Sequence, residues 1–352
     1  GMVMPAYYGE KTNSCALDRC MERCSELFDW DAKSQVRTMP DGKIRTAGVA
    51  MAMQGSSISN VDVGSATVTL GDDGCYTLAI GAADMGTGCD TILSQMVAEC
   101  MDCDIDDVFV APVDTDSSPY DSGSYASSTT YVTGKAVMLA CDKLKNQLCE
   151  IAGEMLSCPP DEIEFCGSTL KCLSDGSTVT LRDLSYKAQC NNEIAVRATA
   201  THSSPVSPPP FMVGMVEIEL DPETGSVEIL DYTSVVDCGT PINPNLARIQ
   251  TEGGLVQGIG MALYEDVTYD DTGRIIEDSF MQYKLPTRLD MGKLRVEFES
   301  SYEPTGPFGA KSIGEIVINT PSPAIVHAIY RATGVWHRTL PVTPEKILFG
   351  KQ

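Results

Sequence analysis

Strand-like runs closed by tight turns occur twice along the chain, and each pair is followed by helical patterns. No other feature restricts the fold as much. Residues 63–70 (VGSATVTL) and 75–81 (CYTLAIG) flank Gly71, Asp72, Asp73 and Gly74 and read as a hairpin. A helix fits 91–102, with Ile92, Met96, Val97 and Cys100 on one face. A short strand at 107–113 leads to a longer helix at 130–156, where Val132, Ala136, Leu139, Ala140, Leu144, Leu148 and Ile151 recur at three- and four-residue spacing. The second pair, 211–220 and 226–237, closes through a turn at 221–225. A Gly-rich helix at 246–264, a hairpin around 270–273, a strand at 294–300 and a helix at 321–333 follow. Hairpins closed locally, with helices packed on them, predict an α+β fold of two subdomains with mixed sheets. No GxGxxG motif follows the first strand and no P-loop occurs, which excludes the common nucleotide folds.

The stretch 201–210 (THSSPVSPPP) is a stiff Pro/Ser run and the best internal boundary. It divides the chain into an N-terminal arm (1–47), a first subdomain (48–205) and a second (206–352). The arm is polar, ends in the turn Pro40, Asp41, Gly42 and holds one helix near 14–28. Alone it could bury little.

Charge narrows the partners. With 25 basic and 49 acidic residues the formal net charge is −24, which argues against nucleic acid and against an anionic membrane surface. No run of 18 apolar residues occurs and no signal-peptide pattern opens the chain, so the expectation is a soluble, cytoplasmic protein. Fourteen cysteines are scattered over the chain. Cys15, Cys20 and Cys24 run C-x4-C-x3-C, one residue off a plant-type iron–sulfur spacing, and no fourth ligand follows nearby. Cys100 and Cys103 form a CxxC without a partner pair. The expectation for most of them is therefore small buried hydrophobes in a reducing compartment rather than a metal cluster. Three histidines far apart in sequence (His202, His327, His337) make a His-rich metal site or a Ser-His-Asp triad a poor fit.

Three loop–helix junctions could carry chemistry. In 81–90 (GAADMGTGCD), Gly86 and Gly88 allow close backbone approach at a helix N-terminus. Taken alone, that loop reads as a Gly turn with Asp90 as N-cap. In 123–130 (GSYASSTT), Ser127, Ser128, Thr129 and Thr130 gather hydroxyls at a helix start, which suits an anionic ligand; an over-provisioned N-cap reads equally well. In 306–315 (GPFGAKSIGE), Gly309 and Gly314 make a tightly turned loop that sets Lys311 and Glu315 before the next helix. A carboxylate there is either a buried general base or, more commonly, a solvated loop residue.

Taken together and in this order, these segments resemble one family, the molybdenum hydroxylases that include xanthine dehydrogenase, aldehyde oxidoreductase and nicotinate dehydrogenase. DMGTG (84–88) is similar to the family's E-x-GQG-x-x-T pterin motif. DTDSSPYDSGSYASSTTYVTGKAV (114–137) is similar to DT-x-x-x-P…G-x-x-AS-x-x-T…G-x-AV. DCGTPINPNLARIQTEGGLVQGIGMALYED (237–266) resembles D-x-G-x-x-INP…Q-x-EGG-x-x-QG-x-G-x-AL-x-E, and GAKSIGE (309–315) resembles G-x-K-x-x-GE. The resemblance covers about residues 40–350, the C-terminal half of the molybdenum-binding subunit, and implies a fold of the molybdenum cofactor-binding type.

Carried over residue by residue, the resemblance assigns Glu315 as catalytic base. It assigns Gly86, Thr87, Gly88, Ala126, Ser127, Thr129, Gln257 and Lys311 to cofactor binding, with no metal ligand from the protein. Thr87 stands where the family usually has Gln, which keeps a hydrogen-bonding side chain but shortens its reach. Ser57, Ile58 and Ser59 fall where the family lines its substrate pocket, and no sandwiching aromatic stands at Ile58. The implied cofactor is molybdenum–molybdopterin, in bacteria the cytosine dinucleotide form with its phosphates on the helix start at 127–130. The implied reaction is hydroxylation, with water as oxygen source, of a small molecule at a carbon beside nitrogen or oxygen, such as an N-heterocycle or aldehyde. Implied partners are the N-terminal half of the molybdenum subunit, an iron–sulfur subunit and an FAD subunit, with a dimer of the whole complex allowed. The alternative within the family is a non-catalytic, cofactor-holding half whose partner supplies the catalytic groups.

Overall fold

The computed structural model describes residues 2–4, 10–191 and 195–350. The chain packs as two compact units, and neither is continuous in sequence. One comprises 1–54, 208–302 and 313–352; the other comprises 55–207 and 303–312.

The first unit is built on a five-stranded sheet. In spatial order its strands are Lys293–Phe298, Val227–Asp237, Phe211–Leu220, Ile44–Met53 and Arg37–Thr38. All pairs are antiparallel except Lys293–Phe298, which runs parallel to Val227–Asp237. Every residue of the central strand Phe211–Leu220 is buried, because both faces of the sheet are covered. Alternation sends Met212, Val216, Ile218 and Leu220 to one face, into a core with Leu255 and Ile259 of helix Pro244–Leu263 and Ala324, Ile325 and Ile329 of helix Pro321–Thr333. Val213 and Met215 point to the other face and meet Cys20, Cys24 and Phe28 of helix Leu17–Phe28.

The expected N-terminal arm is therefore not an appendage. Its helix closes one face of this sheet, and the Ala16 N–H donates to Asp237 at 2.8 Å. Lys33 adds a cation over the Phe28 ring, 4.6 Å from the centroid, and reaches Asp231 at 2.5 Å. Cys20 and Cys24 pack in this core, and burial pushes both thiols up from their ordinary range. The expected hairpin at 270–273 shrinks to a single bridge, Tyr269 with Ile275.

The second unit holds a four-stranded sheet in the order Arg197–His202, Gly64–Leu70, Tyr76–Ile80, Val108–Val110. The helices Cys89–Met101 and Gly134–Leu156 pack with it, as the periodicity predicts. A small three-stranded sheet of Ile163–Cys166, Thr169–Cys172 and Thr178–Thr180 completes the unit. The expectation of mostly reduced thiols has one exception: Cys172, the last residue of strand Thr169–Cys172, is disulfide-bonded to Cys158. The return of 303–312 to this unit is a second departure from the linear partition: Pro307 packs against Gly134 at the start of the long helix, where a Cβ would lie 3.1 Å from the proline Cγ.

Candidate active site

In the first unit, Glu315 precedes the turn Ile316–Ile318, whose Ile316 and Val317 side chains are fully buried in the sheet–helix core. The carboxylate itself is half-buried. Gln54, the residue after strand Ile44–Met53, donates from Nε2 to Glu315 Oε2 at 2.6 Å. Sequence reasoning passed over Gln54. Its one mark in the sequence is a polar residue that ends the apolar run 47–53, just before Gly55, Ser56 and Ser57, and that mark names no partner. Gln257 is exposed on helix Pro244–Leu263. Its helical neighbours Gly254 and Gly258 press that helix onto Val317, Ile318 and Pro321.

In the second unit, the loop 84–90 is closed by Asp84. Its Oδ1 accepts the N–H groups of Gly86 at 2.8 Å and Gly88 at 3.2 Å, and its Oδ2 accepts that of Asp90 at 3.4 Å. Burial alone would raise the Asp84 carboxyl, but these N–H donors outweigh it and hold the group below the usual carboxylate range. The expected N-cap, Asp90, lies inside the helix; Gly88, with φ +76°, holds the cap position. Gly86 (φ +98°) has open space where a Cβ would stand, and Gly86 and Thr87 are both exposed.

The second loop is strained. Ala126 (φ 50°) and Ser127 (φ 60°) are consecutive non-glycine residues in the left-handed region, which costs roughly 1–3 kcal/mol each and persists where surrounding contacts impose it. A π-type turn, Thr129–Thr133, then runs into the helix Gly134–Leu156. The hydroxyls gathered here are partly spoken for. Ser128 is buried and its Oγ donates to Gly123 O at 2.9 Å, Thr129 Oγ1 bonds Ser124 Oγ at 2.9 Å, and Thr133 Oγ1 donates to Asp121 at 2.8 Å. Ser128 thus fastens the loop.

Residues 55–57 are clamped from two sides. The N–H groups of Ser56 and Ser57 both donate to Ser207 Oγ, at 3.1 and 3.2 Å, while the Ser312 N–H donates to Ser56 Oγ at 3.0 Å. Ser57 is buried, and among the described residues its Oγ has no hydrogen-bond partner. Ile58 and Ser59 are half-buried, and the Ile58 N–H donates to Asp62 at 2.7 Å. Lys311, next to Ser312 in the same unit, is 1% exposed.

A molybdopterin cofactor is a large polar anion, and these features fit one. They comprise a latched glycine loop open to close approach, a strained Ser/Thr loop at a helix start, a buried orphan hydroxyl at Ser57 and a buried lysine. Comparison with known proteins points the same way. Residues 23–292 match the molybdopterin cofactor-binding domain family. The chain is 32% identical over 338 residues to a probable hypoxanthine oxidase of Escherichia coli K12, covering 95% of this chain and 35% of that protein. It is 30% identical over 348 residues to a putative xanthine dehydrogenase molybdenum-binding subunit of the same organism, covering 96% and 46%. The crystal structure of quinoline 2-oxidoreductase from Pseudomonas putida 86 superposes with a TM-score of 0.87 at 24% identity, over 98% of this chain and 48% of that one. The chain thus spans less than half the length of these relatives. With its ordered motifs, its mixed-sheet fold and a family match over most of its length, the chain belongs to the molybdopterin cofactor-binding domain family of the molybdenum hydroxylases.

Proposed function

We propose that this chain is the C-terminal half of the molybdopterin-binding subunit of a molybdenum hydroxylase acting on an N-heterocycle or aldehyde, with Glu315 as general base. The observation that carries the reading is a carboxylate set on a turn anchored in the core and tethered through one oxygen by a neutral donor, Gln54. When bound, the cofactor supplies a Lewis-acidic metal that can accept two electrons. The protein's share is to hold the cofactor and substrate and to take a proton at the Glu315 carboxylate. Gly86, Thr87, Gly88, Ala126, Ser127, Thr129, Gln257 and Lys311 would hold the cofactor, and the cytosine dinucleotide form suits the helix start at 127–130. Ser57, Ile58 and Ser59 would line the substrate pocket, with Ser57 Oγ offering an unused hydrogen bond to a polar substrate or cofactor edge.

Electrons would leave through iron–sulfur and FAD subunits, and the rest of the molybdenum subunit would complete the site. Support for partners comes from relatives named as parts of assemblies, such as the gamma subunit of the 6-hydroxypseudooxynicotine dehydrogenase complex of Paenarthrobacter nicotinovorans, 33% identical over 332 residues, covering 92% of this chain and 41% of that subunit. A run of exposed apolar side chains, including Phe280, Met281 and Leu289, suits the same reading.

The test is Glu315→Gln in the assembled enzyme. The expected result is loss of hydroxylation by a factor of about a thousand or more with molybdenum content unchanged. Activity surviving within about tenfold would overturn the general-base assignment and leave the chain a cofactor-holding half.

A further inference from the structure

We infer that Gln54 is a positioning residue for Glu315, an inference that rests on Glu315 being the base. Both residues belong to one unit and both stand on backbone that has little freedom. Strand Ile44–Met53 pairs along its whole length with Phe211–Leu220, from Ile44 opposite Leu220 to Met53 opposite Phe211. Gln54 extends that ladder by one step, its N–H donating to Pro210 O at 3.4 Å. The period of two puts its side chain on the same face as Ala50 and Ala52, which pack against the core that also buries Ile316 and Val317. The amide and the carboxylate are therefore brought together by two anchored segments, and the 2.6 Å contact fixes one carboxylate oxygen.

The chemical choice of partner matters. A glutamate side chain has three rotatable bonds, so an untethered carboxylate spreads over several rotamers and loses alignment with the proton it must take. A cationic partner would fix it more firmly but would favour the charged form and weaken the base. A carboxamide holds the geometry without bringing a charge. Gln54 therefore acts through Glu315.

The experiment uses the assembled enzyme carrying Gln54→Met (same length, no donor) or Gln54→Ala, each alone and combined with Glu315→Gln. The expected result for either single variant is a kcat lowered about tenfold or more with KM within about threefold, at unchanged molybdenum per chain. In the Glu315→Gln background the same substitution should cost less than about twofold further, because residues acting through one group are non-additive. The crystal structure of the Gln54→Met assembly should show the Glu315 carboxylate displaced or in several conformers. Wild-type kcat in Gln54→Met beside an inactive Glu315→Gln enzyme would overturn the positioning role and leave the base standing. An equal loss in both backgrounds would also overturn it, since Gln54 would then act elsewhere. An active Glu315→Gln enzyme would remove the base and this inference with it.

Discussion

Gly254 lies against Val317 so closely that a Cβ there would overlap the valine Cγ2 methyl and stand 2.9 Å from its Cβ. The contact lets helix Pro244–Leu263 approach the turn that follows Glu315, and a β-branched side chain in a full core has no room to yield. Gly254→Ala should therefore cost about 1–3 kcal/mol of unfolding free energy and displace the turn. Denaturant unfolding of the chain measures the first effect and kcat of the assembled enzyme the second. Gly253, one position away on the same helix, has nothing within 4 Å of where a Cβ would stand, so Gly253→Ala should be neutral or slightly stabilising.

The latch at Asp84 makes a prediction about cofactor retention. Its carboxylate organises the loop through the N–H groups of Gly86, Gly88 and Asp90. Asp84→Ala frees those donors, and the assembled enzyme should lose several-fold in molybdenum per chain. The unfolding midpoint should barely move, because the loop is exposed. Asp84→Asn keeps an acceptor oxygen and should fall between the two. Full molybdenum occupancy in Asp84→Ala would show that the loop does not hold the cofactor.

The disulfide gives a count and an energy. Twelve cysteines carry thiols and Cys158 and Cys172 are joined in a disulfide, 14 residues apart. Alkylation of denatured, unreduced protein should label twelve thiols, and two more after reduction. Removing the bond by Cys158→Ser with Cys172→Ser should cost about 2–4 kcal/mol, chiefly by releasing the unfolded chain. Fourteen labelled thiols before reduction would show the pair unbonded in solution.

Much of this fold was legible because local signals agreed with the global one. The strand-like runs 211–220 and 226–237 are strands that the structure pairs. Of the predicted stripe, Ala136, Ala140, Leu144, Leu148 and Ile151 are buried on the long helix, Val132 is buried in the turn before it, and Leu139 is half-buried. What was not legible depends on distant residues. On helix Cys89–Met101 the buried face turns to Leu93, Met96, Val97 and Met101, leaving Ile92 and Cys100 half-buried, since the neighbouring helix rather than intrinsic pattern sets the facing side. The excursion of 303–312 into the other unit carries no periodic mark. The pairing of Cys158 with Cys172 is one choice among many for fourteen cysteines. Of the candidate residues, the motif glycines and Glu315 are named by the family resemblance rather than by any one local signal. Gln54 is named by neither, because its partner lies 261 residues away and only the folded strand brings them together.

Acid sensitivity should concentrate on the buried Glu219 of the central strand of the large sheet. Glu219 accepts from Lys43 at 2.8 Å and from Arg45 at 2.6 Å, and these bonds, Lys43 first, hold its carboxyl below the usual range. A depressed folded-state pKa contributes stability above the unfolded value, near about 4.3, that disappears as pH falls through the folded one. Glu219→Gln should thus be less stable than wild type at pH 7, and its stability should fall less steeply in the acid limb. The Lys43 side acts at the opposite end: Glu219 raises its pKa, so that contribution is complete at neutral pH and lost only in strong alkali. Urea unfolding midpoints between pH 7 and pH 3 measure the slope. Parallel curves for the two proteins would remove Glu219 from the account.

The exposed apolar run between the helix Pro244–Leu263 and the strand Lys293–Phe298 sets the last expectation. Phe280, Met281 and Leu289 are 82%, 80% and 94% exposed, and Leu285 is half exposed, within a segment that is mostly loop. Large side chains this open usually meet a surface, because about 25 cal/mol for each Å² of apolar area is recovered when they are covered. On the proposed reading the rest of the molybdenum subunit would be that surface, so the triple replacement Phe280→Ser, Met281→Ser, Leu289→Ser should weaken the chain's association with the rest of that subunit by at least about tenfold. The isolated chain should remain folded and become less prone to self-association. Thermal unfolding of the chain alone and co-purification of the assembled subunit separate these effects. Undiminished assembly in the triple variant would mean the partner sits elsewhere, and the serine replacements would then change only the solubility of the chain.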